Sequence, residues 1–240
     1  MRSIGLIGGM SWESTAVYYR QINEMVREAR GGLASAEILL HSLDFERVVA
    51  HQKAGRWDLA SELLAASGRK LAAAGADCVL ICTNTMHLVS RPVEEAAGVP
   101  LVDIIEETGR AIAQAGYRKP LLLATRYTME HGFYAERMQR DAGITPLVPD
   151  EAGRALAHSV IFDELCAGIV RDSSRAAMTA LIETARAEGA DCVILGCTEI
   201  CLLLDPEALP LPGFDSTRIH ARAAVDFALS ARQPRERVAA

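Results

Sequence analysis

Two cysteines in a repeated setting are the residues of this sequence best suited to chemistry. Gly75-Ala76-Asp77-Cys78-Val79 in the first half recurs as Gly189-Ala190-Asp191-Cys192-Val193 in the second. Each copy runs through apolar residues into a Cys-Thr pair, Cys82-Thr83 and Cys197-Thr198. A thiolate can take a proton from carbon and a thiol can return one. Two thiols on opposite sides of a small molecule can therefore remove a proton from one face of a carbon and deliver another to the opposite face. The net result is inversion of that centre. Thr83-Asn84-Thr85 and Thr198-Glu199 follow directly. Backbone N–H groups at such loop-to-helix starts suit a ligand carboxylate.

The other cysteines read differently. Cys78 and Cys192 sit inside apolar runs and are expected as inward strand residues. Cys166 and Cys201 are expected to be structural. His87 either assists the first thiol or bonds backbone at a helix start, and Glu199 either orients the second thiol, binds an ammonium group or caps its helix. Cys82, His87, Cys197 and Cys201 match no common zinc spacing, and no CxxC occurs. IGLIGG lacks the full GxGxxG spacing, and His41 ends the second strand where a dinucleotide fold needs an acid. A tight strand-to-helix turn is the expectation there. A pyridoxal route needs a Schiff-base lysine, and none of Lys53, Lys70 and Lys119 falls at a strand end.

Continuous apolar strands separated by helices must position these groups. Strands are expected at Ser3-Ile7, Ala36-Leu40, Cys78-Cys82 and Leu101-Ile105, with helices between them and over Glu106-Ala115. The pattern restarts after Gly116. Strands are expected at Leu121-Ala124, Ile144-Val148, Cys192-Leu195 and Leu209-Gly213. Helices are expected over Met129-Asp141, Glu151-Gly168, Ser174-Glu188 and Thr217-Ser230. Such runs indicate α/β architecture: two similar doubly wound parallel-sheet, flavodoxin/Rossmann-like domains related by duplication. Residues 1-105 plus 210-240 form the expected N-terminal domain and 106-209 the C-terminal one. In open parallel sheets ligands bind beyond the carboxyl ends of the strands, so the site is expected in the cleft between the halves.

The 240 residues are 50% apolar and 23% charged, enough for a sizeable core and unlike a disordered chain. The net charge of -6 and the lack of a basic cluster argue against nucleic acid, and Arg232, Arg235 and Arg237 are too few to change that. No run reaches transmembrane length, and the N-terminus lacks a secretory pattern. A cytoplasmic setting with reduced thiols, no membrane contact and a small-molecule partner is the expectation.

IGLIGGMSWEST at the N-terminus, CTNTMH over 82–87 and GCTEI over 196–200 give the chain a family likeness. It resembles the aspartate/glutamate racemases, most closely their broad-specificity amino-acid racemase branch. LLHSLDF, RYTME and FDEL extend the likeness over roughly residues 1–230. The resemblance implies racemisation without a cofactor, usually in a homodimer, with Cys82 and Cys197 as the catalytic acid/base pair; the cysteine and histidine spacings give no expectation of a metal. It implies that Asn84, Thr85, Thr198 and Glu199 shape the site, with Met10 and Gln52 near the substrate. Thr83 and Thr125, each at a strand end, complete the expected substrate-binding set. Two departures bear on the substrate. Aspartate-specific members carry a lysine at about the position of Cys166, and glutamate racemases open with Asp-Ser where Gly9-Met10 stands here. A buried carboxylate without a cationic partner is costly, which favours neutral side chains unless Arg47 or Arg126 reaches in. Aspartate or glutamate racemisation, a hydantoin racemase or maleate isomerase-like activity, and non-catalytic amino-acid binding remain the alternatives.

Overall fold

The computed structural model describes residues 1–230; Arg232, Arg235 and Arg237, and the stretch 231–240 assigned above to the first domain, lie outside the described residues. The chain runs β1 (Ile4–Gly8), α1 (Trp12–Arg30), β2 (Ile38–Ser42), α2 (Phe45–Lys53), α3 (Trp57–Ala73), β3 (Cys78–Ile81), α4 (Ser90–Ala97) and α5 (Ile104–Gln114). It continues with β4 (Pro120–Leu123), α6 (Arg126–Glu130), α7 (Phe133–Ala142), α8 (Glu151–Ser159), α9 (Asp172–Ala187), β5 (Cys192–Leu195), α10 (Ile200–Leu203), β6 (Gly213–Asp215) and α11 (Ser216–Leu229).

Two parallel three-stranded sheets result, ordered β2-β1-β3 and β4-β5-β6. A parallel bridge from Leu101 to Val79 extends the first beyond β3, and one from Leu147 to Leu121 extends the second beyond β4. Each half thus lays its strand positions in the same order, second-first-third-fourth, as duplication requires. The sequence expectation of full strands at Leu101-Ile105 and Ile144-Val148 is corrected to these single bridges. Asp103 explains the first: its carboxylate caps α5 by accepting from the Ile105 and Glu106 N–H groups, so helix begins where strand was expected.

Alternation along buried strands sorts the core. Ile4, Leu6, Cys78, Leu80 and Cys82 face α1 and α11, while Ile7, Val79 and Ile81 face α3 and α4. The helices after the fourth strand positions change sides. α5 buries Ile104, Ile105 and Ile112 in the second-half core, and α11 buries Ala221, Ala224, Val225 and Ala228 in the first-half core against α1. α5 and α11 also pack on each other. β6, expected at Leu209-Gly213 and assigned above to the first domain, instead occupies 213–215 and pairs with β5. The chain therefore returns to the first half only with α11.

Two other expected helices are interrupted. Gly132, at φ +75°, separates α6 from α7. After α8 the chain widens into a π-helical turn over 160–164 and a 3-10 turn over 165–167, a distortion that often marks functional sites.

Candidate active site

The carboxyl ends of β1, β3, β4 and β5 converge on a cavity of about 50 Å³ between the halves. The first half supplies Met10, Ser11 and Ser14 from the β1–α1 turn, Phe45 and Gln52 from α2, and Thr83–Met86 from the loop after β3. Gly9, at φ +84°, makes that first turn possible, because a Cβ there would overlap the Leu43 carbonyl. The second half supplies Thr125 and Tyr127, Ile161 and Phe162 of the wide turn, Cys166, and Gly196–Glu199 after β5.

Every substrate-binding candidate named from the sequence lines this cavity: Met10, Gln52, Thr83, Asn84, Thr85, Thr125, Thr198 and Glu199. The two thiols are placed differently. Cys197 lines the wall. Cys82 is fully buried in the first-half core, one residue before the wall begins at Thr83. Burial pushes the Cys82 thiol far above its ordinary value. Cys197 is also raised, first by burial and then by the Glu199 carboxylate beside it. Cys166 is pushed up to about 12, mainly by burial.

The polar contacts bridge the halves. Cys197 Sγ donates to Glu199 Oε2 at 2.9 Å, and Glu199 Oε1 accepts from Ser11 Oγ at 2.9 Å and Ser14 Oγ at 2.8 Å. The hydroxyls of Thr85, Thr125 and Thr128 form a triangle with sides of 3.0–3.2 Å across the lobes. Asn84 Nδ2 donates to Ser216 Oγ, while its buried Oδ1 has no hydrogen-bond partner. The Thr83 N–H, expected to meet a ligand carboxylate, instead donates to the Ile81 carbonyl at 2.8 Å.

His87 takes its backbone role. Nδ1 lies 2.8 Å from the Thr83 carbonyl, and Nε2 accepts from the Ile104 N–H at 3.2 Å, so the proton belongs on Nδ1. Burial lowers its pKa and keeps it neutral. It ties the loop after β3 to the start of α5. Behind Cys82, Tyr18 Oη meets His220 Nδ1 at 2.8 Å, and His220 Nε2 lies 2.7 Å from the Val102 carbonyl.

Among the described residues the cavity wall holds one charged side chain, Glu199, and no Lys, Arg or His. Arg47 and Arg126 are exposed and do not line it. Its other face is apolar, built from Met10, Phe45, Met86, Tyr127, Ile161 and Phe162. The serines and most of these apolar groups were not singled out from the sequence. MSWEST held the signal for the serines, but their partner lies in the other half. Among the described residues no group of three or more His, Cys, Asp or Glu side chains is placed to hold a metal ion, and no helix is long and apolar enough to cross a membrane.

Fold and site define a two-lobed α/β protein with a small-molecule cleft at the strand ends. The chain belongs to the Asp/Glu/hydantoin racemase family, whose model matches residues 7–224. A structure from Yersinia pestis, assigned as an Asp/Glu racemase, is 46% identical, superposes with a TM-score of 0.91, and covers 96% of this chain and 100% of its own. An aspartate racemase homologue from Pyrococcus horikoshii OT3 is 32% identical with a TM-score of 0.84, over 95% of this chain and 99% of its own. The broad-specificity amino-acid racemase RacX of Bacillus subtilis (strain 168) is 23% identical over 237 residues, covering 95% of this chain and 98% of its own.

Proposed function

We propose that the protein is an amino-acid racemase that needs no cofactor, uses Cys82 and Cys197 as its two bases, and acts on neutral amino acids ahead of aspartate or glutamate. The observation that carries this reading is the wall itself: a thiol hydrogen-bonded to a carboxylate, facing a cavity with no cation in its lining. The substrate ammonium is met by Glu199 and the unpaired Asn84 Oδ1, both buried acceptors. The substrate carboxylate takes the hydroxyls of Thr85, Thr125 and Thr198. The side chain then lies against Phe45, Tyr127, Ile161 and Phe162.

One thiolate takes the α-proton and the opposite thiol supplies its own to the other face, the roles reversing for the other enantiomer. This requires Cys82 Sγ to turn from the core toward the wall when substrate binds. It also requires the cavity, about 50 Å³ and partly open to solvent, to widen around an amino acid. A homodimer in the cytoplasm belongs to the same proposal. Exposed Trp12 and Tyr19 on α1 offer it apolar surface, and all six cysteines are free.

Single L-amino acids incubated in heavy water, with chiral separation and mass analysis, test the reading. D-enantiomer labelled at the α-carbon is expected, with kcat/KM for L-homoserine above that for L-aspartate. A ratio well below one points to an acidic substrate held by a cation outside the present wall. Absence of α-exchange across the panel favours an amino-acid-binding role, or a hydantoin- or maleate-type substrate.

A further inference from the structure

The MSWEST segment contributes two side chains that the mechanism above leaves unused, Ser11 and Ser14. Both are buried, and both donate to the same oxygen of Glu199. Ser11 is also the N-cap of α1 and accepts from the Ser14 N–H at 3.3 Å, so the two hydroxyls are fixed relative to each other by the first turn of a 19-residue helix. Glu199 is 7% exposed. A carboxylate taken from water needs its lone pairs filled, and these donors divide its two oxygens. Oε1 takes both serines; Oε2 takes the Cys197 thiol.

We propose that Ser11 and Ser14 are positioning residues for Cys197, acting through Glu199 by fixing which oxygen faces the thiol. The proposal rests on the acid/base role of Cys197 given above. The step they prepare is a transfer within the pair. The Cys197 S–H bond breaks, its electron pair stays on sulfur, and the proton bonds to Glu199 Oε2. The pair keeps one negative charge throughout, so no new charge is created in the buried site. Without the serines, Oε1 has no donor from α1 and the carboxylate is free to rotate away from the thiol. The serines belong to the first half and Glu199 to the second.

Iodoacetamide labelling of Cys197, followed by peptide mass spectrometry from pH 6 to pH 10, reads this without any racemase assay. In the Ser11→Ala/Ser14→Ala protein, labelling near neutral pH is expected to fall about tenfold, the worth of one hydrogen bond to a charged group. The profile then needs higher pH to recover. Glu199→Gln removes the carboxylate that raises the thiol, so labelling of that variant is expected to rise, and the serine changes should add nothing on that background. A thermal melt establishes that each variant is folded, and the two single serine variants replace the double one if it does not fold. Unchanged or faster labelling in the folded serine variants overturns the proposal. So does an equal loss from the serine changes on the Glu199→Gln background, which would mark the serines as merely structural. A wild-type protein that racemises nothing but shows the expected labelling pattern removes the racemase reading and leaves the positioning network standing.

Discussion

At the scale of single residues, burial sets the chemistry. Both candidate thiols are pushed above the ordinary range, Cys82 by burial alone and Cys197 by burial and then by Glu199. The deprotonated base is therefore scarce at neutral pH, and kcat/KM should climb as pH rises from 7 to 9. A profile that falls over that interval would show that a group other than a thiol removes the proton. His220 gives a second expectation, for stability. Burial drives its pKa down to about 3, so the folded protein keeps the ring neutral while the unfolded chain titrates near 6.5. Stability is then full above about pH 6.5 and is lost as pH falls toward about 3, at roughly 1.4 kcal/mol per pH unit. Urea unfolding at pH 6.5 and pH 5 should differ by about 1.6 kcal/mol from this ring alone. His220→Gln should narrow that gap; an unchanged gap would assign the acid sensitivity elsewhere. The cavity-lining residues near Cys82 and Cys197 were legible in the sequence because they sit beside a repeated motif at strand ends. Phe45, Tyr127 and Phe162 were not, since an aromatic residue on a helix looks the same whether it faces a core or a cleft.

At the scale of elements, the loops after β3 and β5 are held by groups from the opposite half. Arg137 on α7 donates to the Ser90 hydroxyl at 3.1 Å and pairs with Asp103 at 2.7 Å, both pair members being largely buried. Asp103 in turn caps α5. Removing one member leaves a buried charge without its partner, so Arg137→Ala should cost about 3 kcal/mol, measured as a lower urea midpoint with unchanged slope. A loss below about 0.5 kcal/mol would mean that the pair behaves like a surface bridge. The π-helical turn at 160–164 was invisible to periodicity, because an apolar pattern over residues 151–168 fits one continuous helix. What it changes is which side chains face the cavity, namely Ile161 and Phe162. The fourth strand positions were overread for a related reason. Leu101 and Leu147 are apolar enough for a strand, but Asp103 starts a helix after the first.

At the scale of the molecule, two copies of one α/β unit face each other across a cleft, and α5 and α11 cross between them. The restarted strand pattern carried the duplication and the parallel sheets. It could not carry the exchange, because nothing local in 216–229 says which sheet will be covered. Only the apolar face Ala221–Ala224–Val225–Ala228, seated on α1, decides it. The same geometry sets Glu199 against serines far away in sequence and brings both strand ends to one cavity. Whether both thiols act there is read most directly from the two single replacements, Cys82→Ser and Cys197→Ser, assayed for L-to-D conversion with the fold checked by thermal melting. The two-base account predicts that each folded variant loses racemisation, while α-proton exchange survives on one enantiomer only. Full racemisation by either variant would contradict it.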